Sequence, residues 1–279
     1  MPRTDNHQLD REQTIWTMLR WQGHISNTEV RELFCVSLKR ASQILQQFRL
    51  RFPSSLIQDN HNRFWRLAAA KQADDIAGSI EQYLTLVRSL KSNPTEWYED
   101  ARFQFLNPKP EIFRLVRDAC ETGKGLLVSY ASMGREAPLE RLIFPHAILR
   151  LCQRWHTRAW CCLREEYRDF TFGRMMAIRE ADEARPVMPP DEAWNRYVPV
   201  RVFPHRELTS TQIEVVRSDF CGGAVARRIM IRACEVPYAL RDSRVAINPE
   251  IQKPPEYLLE LANAEELEPY LFKIPAQND

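Results

Sequence analysis

The stretch RWHTRAWCCLREEYRDFTFGR, residues 154–174, decides the fold of the central part of this chain. Aromatic and other β-prone residues dominate both ends of the stretch, and a charged break at 164–166 separates them, so we predict two strands with a short connection. His156, Arg158, Arg164 and Arg168 lie between the terminal arginines. This composition suits a metal site, a catalytic site, a nucleic-acid surface or a pocket for a charged ligand.

Three more β-prone segments surround this stretch. LLVSYAS covers residues 126–132, RLIFPHAILRL covers 141–151 with a bend at Pro145, and RMMAI covers 174–178. Five short strands in this region predict a small closed β-barrel.

The cysteines argue against a metal site. The chain has seven cysteines, an odd number, and no C-x-x-C pair, so neither a disulfide framework nor a zinc site is indicated. Adjacent Cys161 and Cys162 point to opposite faces of a strand and could hardly chelate one metal together. We therefore expect free thiols and no metal.

Motifs of enzymes and of membrane or exported proteins are also missing. The sequence has no G-x-S-x-G, G-x-x-x-x-G-K-[ST] or H-E-x-x-H pattern, so we expect no catalytic residues, no cofactor and no enzymatic activity. The polar N-terminus lacks a signal-peptide run, and no segment reaches the roughly 18 apolar residues of a membrane span. The expected location is the cytoplasm, without membrane contact.

The N-terminal quarter carries the excess of basic charge. Residues 1–70 contain ten Lys and Arg against six Asp and Glu, whereas the whole chain has 39 against 37. This local balance of +4 suits a polyanionic partner.

Apolar periodicity in the same quarter predicts three helices. The first is capped by Asp10 and ends near Gly23, the second is capped by Ser26 or Asn27, and the third covers about 38–48. Short helices across a brief turn form a helix-turn-helix.

A hairpin is predicted after the third helix. Strands around 56–58 and 63–67 flank a polar turn at 59–62. A hairpin in this position completes a winged helix.

The exposed face of the third helix bears basic and amide side chains and no acid. Such side chains form hydrogen bonds with base edges and phosphates. The predicted DNA contacts are Ser37, Lys39, Arg40, Ser42, Gln43 and Gln47 on this helix and His61, Asn62 and Arg63 in the wing. A winged domain that only contacts proteins is the alternative, but the charge balance favours double-stranded DNA.

The remainder of the chain predicts further helices and domain boundaries. Amphipathic helices are expected at 74–90 and at 111–122, where Gly123 ends the second. The predicted domains are 1–72 (winged helix-turn-helix), 73–123 (helical connector), 124–188 (barrel) and 189–279 (C-terminal domain).

The C-terminal domain is expected to be a small α/β domain. Thr209 or Ser210 caps a helix that ends at Gly222-Gly223, and a last helix is predicted at 256–262. The segment 227–240 combines strand-like alternation with helical features, so both remain open.

The residues of the predicted barrel resemble the WYL domain, an Sm-like β-barrel of bacterial regulators. The matching series is Tyr130-x-Ser132, Arg141-x-Ile143-x-Pro145-His146, Arg154-Trp155-x-x-x-Ala159 and Tyr167-Arg168-x-Phe170-x-x-x-Arg174. The name-giving Trp-Tyr-Leu is replaced by Trp155-His156-Thr157.

A winged helix before such a barrel is similar to the dimeric WYL transcription regulators. The segment after Val198 resembles the C-terminal extension of regulators that accompany bacterial anti-phage defence operons. The resemblance implies an α+β protein, a winged helix-turn-helix followed by an Sm/SH3-like barrel and a small dimerisation domain. It also implies a homodimeric repressor that binds a pseudo-palindromic operator.

By the same resemblance, an anionic effector such as a nucleotide or an oligonucleotide binds at the barrel. The implied ligand residues are Tyr130, Ser132, His146, Arg154, Trp155, Arg168 and Arg174. Arginine matches phosphate geometry with two bonds at a time.

Two alternatives to this assignment remain. The arginines could form a solvated strand face paired with Glu165, Glu166 and Asp169, an interpretation we adopt for Arg158 and Arg164. Alternatively, the whole protein could be an accessory that binds single-stranded DNA or RNA in its barrel, with a winged domain that contacts proteins.

Overall fold

The computed structural model describes residues 4–53, 56–59, 64–68, 77–91, 97–98, 107–134, 136–151 and 153–272. They form helices and mostly antiparallel sheets, the α+β class predicted above, in two compact units, Met1–Ala101 and Arg102–Asp279. Within these ranges, no helix is both long enough and apolar enough to cross a membrane.

The first unit is a winged helix-turn-helix. Its elements are α1 (Thr4–Gln22), β1 (His24–Ser26), α2 (Asn27–Leu33), α3 (Leu38–Arg51), β2 (Leu56–Asp59), β3 (Phe64–Leu67) and α4 (Ile80–Arg88). The strands pair in the order β1-β3-β2. The predicted hairpin is therefore present, and β1, which we did not predict, joins its edge.

Local capping explains where α2 begins. The Ser26 hydroxyl accepts a hydrogen bond from the Glu29 amide at 3.1 Å, and the Glu29 carboxylate accepts one from the Ser26 amide at 2.7 Å. This capping box confirms Ser26 as the N-cap. The predicted cap at Asp10 is wrong because α1 begins at Thr4 and Asp10 lies inside it; residues 4–9 contain neither glycine nor proline, so no residue there ends the helix before Asp10.

Aromatic residues dominate the core of this unit. The buried Trp16 ring packs edge-on against Phe48 and Phe52, with centroids 5.1 and 5.2 Å apart. Tyr83 and Val87 of α4 belong to the same core.

The second unit begins with a five-stranded antiparallel sheet and one helix. The elements are α5 (Pro110–Thr122), β4 (Leu126–Tyr130), β5 (Leu139–Leu151), β6 (Arg154–Cys161), β7 (Glu166–Thr171) and β8 (Met175–Glu180). The strand order is β7-β6-β5-β4-β8. Gly123 ends α5 in the left-handed region, at φ 73°, and Pro145 lies at a register shift between β5 and β6.

A second sheet follows a loop at 181–191. The elements are α6 (Glu192–Asn195), β9 (Tyr197–Pro204), α7 (Ser210–Cys221), β10 (Arg227–Arg232), α8 (Val236–Asp242), β11 (Val245–Ala246), β12 (Leu259–Leu261) and α9 (Ala264–Leu267). The strand order is β10-β9-β12-β11. Thr209 caps α7 as predicted.

Two C-terminal predictions are settled by strand pairing. The open segment 227–240 contains both β10 and most of α8. The predicted helix at 256–262 is wrong, because β12 lies there and pairs with β9 on one side and β11 on the other. Its three residues are buried, so their backbone groups need sheet partners that a local pattern does not reveal.

Candidate DNA-binding and ligand-binding sites

The candidate DNA-binding surface is the exposed face of α3. Ala41, Ile44, Leu45 and Phe48 bury the opposite face of this helix. Lys39, Arg40, Gln43 and Gln47 are exposed and Ser42 is half-buried. The helix contains no acidic residue, so no carboxylate on it repels a DNA phosphate.

Ser37 has a structural role at the start of this helix. Its hydroxyl accepts a hydrogen bond from the Arg40 amide at 3.2 Å, which makes it the N-cap of α3. One turn further on, the Arg40 guanidinium donates to the Gln43 side-chain oxygen at 3.3 Å. The Ser37 cap and the Arg40–Gln43 pair lie in the N-terminal half of the helix, which is the part that enters the major groove in helix-turn-helix proteins.

The wing is only partly described. Arg66 of β3 pairs with Asp59 of β2 at 3.1 Å and fixes the base of the hairpin. The predicted wing contacts His61, Asn62 and Arg63 lie outside the described residues. Their role stays a prediction, as do the contacts assigned to α3.

The five-stranded sheet presents two faces, which we call inner and outer. The inner face carries Ala159, Cys161 and Phe170, and it packs into a core with α5. The outer face carries the residues between them, including the directly opposed pairs His156–Thr171 and Arg158–Asp169. This alternation separates the predicted ligand residues.

Two of those residues belong to the core. Tyr130 is buried, packs edge-on against Phe170 at 5.1 Å, and its oxygen accepts a hydrogen bond from the Thr171 amide at 3.1 Å. Half-buried Trp155 packs edge-on against Phe113 of α5 at 5.8 Å. Phe170 is buried in the same core.

Three further predicted residues have different surroundings. Ser132 is half-buried, just beyond the end of β4. Arg168 is exposed and pairs with Glu166 at 3.0 Å, as the solvated-face alternative expects. His146 is half-buried and belongs to a network on the outer face, described below.

Arg154 and Arg174 each act on the charge of His156. Burial is the largest cause that lowers the pKa of His156, and the charges of Arg154 and Arg174 lower it further. The His156 Nδ1 lies 3.1 Å from the Arg154 carbonyl, so this nitrogen carries the proton and donates. Among the described residues, neither arginine has a carboxylate partner, and these two cations are therefore available to an anion.

The replacement of the family's Tyr-Leu is accommodated inside the fold. His156 and Thr157 are both buried. The Thr157 hydroxyl donates to the Ala147 carbonyl on β5 at 2.9 Å. This bond satisfies a polar group at a position where the family has an apolar one.

A buried ionic network occupies the outer face beyond His156. Arg158 donates two hydrogen bonds to the Asp191 carboxylate, at 2.7 and 3.0 Å, and a third to Asp169 at 3.1 Å. His146 Nε2 lies 3.0 Å from the same Asp191 carboxylate. These partners hold the pKa of Asp191 far below its usual range, although burial alone raises it.

Our assignment of Arg158 to the solvated surface is therefore wrong. Its side chain is only 9% exposed. The expected pairing with Asp169 is present, but Asp191 lies on a loop beyond the sheet, and no sequence signal links it to Arg158. Arg164 is exposed in the turn between β6 and β7, as we expected.

The same network connects the two sheets of the second unit. The Tyr238 hydroxyl of α8 donates to Asp169 at 3.1 Å, and burial raises the pKa of that phenol, helped by the Asp169 charge. The Asp191 carboxylate also accepts from the Trp194 amide at 3.1 Å and caps α6. The network thus fixes α6 and α8 against the first sheet.

Arg141 is a further cation that we did not assign to a site. It is buried on the inner face, its Nη1 lies 3.8 Å from the Cys161 sulfur, and its Cζ lies 5.9 Å from the centre of the Tyr130 ring. Its Nε has no hydrogen-bond partner. No carboxylate among the described residues neutralises this charge, so an anion at the inner face would gain a buried arginine partner.

Three family models match the chain in order. The winged helix-turn-helix domain of the BrxR transcriptional regulator matches residues 7–89, the WYL domain matches 111–180, and the C-terminal dimerization domain of the BrxR transcriptional regulator matches 197–267.

Similar proteins include three called DNA-binding transcriptional repressor CapW. The one from Escherichia coli (strain KTE188) is 26% identical over 260 residues, which are 89% of this chain and 87% of that protein. The one from Stenotrophomonas maltophilia is 29% identical and covers 72% and 71%, and the one from Pseudomonas aeruginosa is 26% identical and covers 89% and 87%. A solved structure, proteasome accessory factor B/C of Arthrobacter aurescens, is 16% identical and covers 95% of this chain and 47% of that chain, at a TM-score of 0.26.

Proposed function

We propose that this chain, which belongs to the WYL-domain transcription regulators, is a homodimeric repressor that binds a pseudo-palindromic operator. Its winged helix-turn-helix lies before the WYL domain, and a dimerization domain lies after it. The acid-free exposed face of α3 carries this proposal. Two such helices in a symmetric dimer enter two half-sites of one duplex. The relatives named as DNA-binding transcriptional repressors support the direction of regulation.

The proposed operator lies upstream of the repressor's own gene or of an anti-phage defence operon. The test is fluorescence anisotropy with the upstream duplex, a scrambled duplex of the same composition, and a single strand of the upstream sequence, all at one salt concentration. Specific binding predicts an affinity for the upstream duplex at least ~10³-fold above that for the scrambled duplex. Equal affinities for the two duplexes contradict the proposal, and tight binding to the single strand alone favours the accessory protein.

The proposal includes an anionic effector bound at the WYL domain. Arg154 and Arg174 supply the charge, because both lie beside His156 without a carboxylate partner among the described residues. Guanidinium forks bind phosphate through charge-assisted pairs of hydrogen bonds, which contribute roughly 1.5–3 kcal/mol per bond. A nucleotide or a short oligonucleotide therefore fits this surface.

Calorimetry with mononucleotides and short single-stranded oligonucleotides tests the effector site. Arg154→Ala together with Arg174→Ala should weaken effector binding at least ~10-fold. The matched control is Arg164→Ala with Arg179→Ala, which removes two exposed charges from the same domain. An equal loss in the control points to unspecific attraction, and no loss in either variant rejects this pair as the site.

A further inference from the structure

Strand β10 ends the second sheet with an unpaired edge. It pairs with β9 on one side only, in the register that places Ile229 opposite Val200. No other strand of the described chain lies along its free side. Six residues of open edge are a template for another strand, and the arginines of β10 lie toward its ends, at 227, 228 and 232, so that an apolar run remains at 229–231.

The apolar core of this sheet reaches the surface at that edge. Val198, Val200 and Val202 of β9 are buried in the core, and the residues opposite them on β10 share their face of the sheet. Ile229 on this face is nevertheless 42% exposed. Met230, on the other face, is 48% exposed, so both faces of β10 are uncovered.

The neighbouring helix α7 and the turn after it extend the exposed surface. Phe220 of α7, whose carbonyl accepts a hydrogen bond from Arg227, and Val225 of the turn are 40% and 67% exposed. We call β10 and these two residues the β10 surface. Exposed apolar residues grouped along one open edge mark a protein interaction site more often than scattered ones do.

We propose that the β10 surface binds the β10 surface of a second copy, so that the two sheets join into one across a two-fold axis. This inference rests on the proposed homodimer and names the surface that forms it. The matched dimerization domain, 197–267, contains the whole surface and indicates a second copy as the occupant.

Symmetry and charge select the register. Two antiparallel copies of one strand must pair residues on the same face, so either Ile229 or Met230 lies opposite its own copy near the centre. With Met230 at the centre, Arg228 faces Arg232 of the second copy, and opposed like charges are unfavourable. With Ile229 at the centre, Arg228 faces Met230 and Arg227 faces Ile231, so no arginine opposes another.

Cysteine cross-linking of the full-length chain tests both surface and register. Directly opposed residues have Cβ atoms about 4.5–5.5 Å apart, within reach of a disulfide after small adjustment. Ile229→Cys should form a covalent dimer on a non-reducing gel, and Met230→Cys should not. Wild type, whose Cys35 is exposed, gives the background. Efficient cross-linking of Met230→Cys instead overturns the register.

Sedimentation velocity tests the surface without a disulfide. Ile229→Asp should raise the dimer dissociation constant at least ~100-fold, since it places two carboxylates against each other in an apolar contact. The matched control is Ile251→Asp, at another exposed isoleucine of the same domain, which should leave the dimer intact. Circular dichroism confirms that both variants are folded.

The outcomes separate this inference from the proposed function. A stable wild-type dimer that survives Ile229→Asp, with no cross-link at either position, overturns the β10 surface but leaves the homodimer. Equal dissociation in the Ile251→Asp control also overturns it. A monomeric wild type overturns the proposed homodimer itself.

Discussion

The exposed face of α3 and the outer face of β6 and β7 are both rich in cations, but they hold them differently. Lys39 and Arg40 of α3 project into solvent from a helix without acids. On the outer face, Arg158 is buried between two carboxylates, whereas Arg154 and Arg174 have none among the described residues. The same residue type therefore stabilises the fold at one position and is available to a ligand at another, and its environment decides which.

The largest expected effect is the loss of stability when the buried arginine is removed. Arg158→Ala leaves Asp191 and Asp169 buried without their shared cation, which should cost about 3–5 kcal/mol of unfolding free energy. Chemical denaturation at neutral pH measures the loss. Arg164→Ala, which removes an exposed arginine nearby, should change the unfolding free energy by less than about 0.5 kcal/mol. Similar small losses in both variants would show that the network does not stabilise the fold.

A smaller effect, on operator binding, is expected from changes on the exposed face of α3. Lys39, Arg40 and Gln43 replaced together by Ala should weaken operator binding by about 2–4 kcal/mol, or roughly 30- to 1000-fold, and reduce its salt dependence. Unfolding free energy and dimer formation should stay unchanged because these side chains are exposed. Lys124→Ala with Arg179→Ala removes the same charge from the WYL domain as a control. Unaltered binding in the triple variant would mean that another face of the helix contacts DNA.

The pH dependence of stability sharpens the comparison further. Burial raises the pKa of Asp191, but His146 and Arg158 lower it more, so this pKa is lower in the folded protein than in the unfolded chain. Ionised Asp191 therefore contributes to the unfolding free energy above the unfolded pKa of about 3.9, and this contribution is lost as the pH falls below that value. Unfolding free energy should therefore fall by about 1 kcal/mol from this group between pH 5 and pH 3, and it should fall further below pH 3. Asp191→Asn should flatten this part of the profile. An unchanged slope would assign the acid sensitivity to other carboxylates.

The smallest effect separates two roles of Ser37. Ser37→Ala removes the N-cap of α3 and should cost about 1 kcal/mol, whereas Ser37→Asp keeps a capping oxygen and should retain stability. The added carboxylate of Ser37→Asp should still weaken operator binding, because it opposes the phosphate backbone. Thermal unfolding and anisotropy measured on both variants make this distinction. Unchanged DNA affinity in Ser37→Asp would place Ser37 outside the DNA contact.

The contrast also explains how much could be predicted from sequence. The helices of the first unit were predictable because their apolar spacing is local, and the cap at Ser26 with its partner Glu29 is local as well. The start of α1 was nevertheless placed at Asp10 instead of Thr4. The strands of the WYL domain followed from β-prone segments and from the motif that carries the family resemblance. Arg158 was misassigned because its burial depends on Asp191, which lies 33 residues away on a loop. The strand at Leu259–Leu261 was missed for the same reason, since its partners β9 and β11 are distant in sequence.

The sequence by itself determined the α+β class, the winged helix-turn-helix, the five strands of the WYL domain and the acid-free face of α3. These features depend on residues within a turn or a strand of one another, whose spacing is visible in one dimension. Only the tertiary structure decided which arginines are neutralised, where Tyr130 and Trp155 point and which strand forms the open edge. Pairing, burial and desolvation of a charge depend on groups that folding brings together from distant parts of the chain.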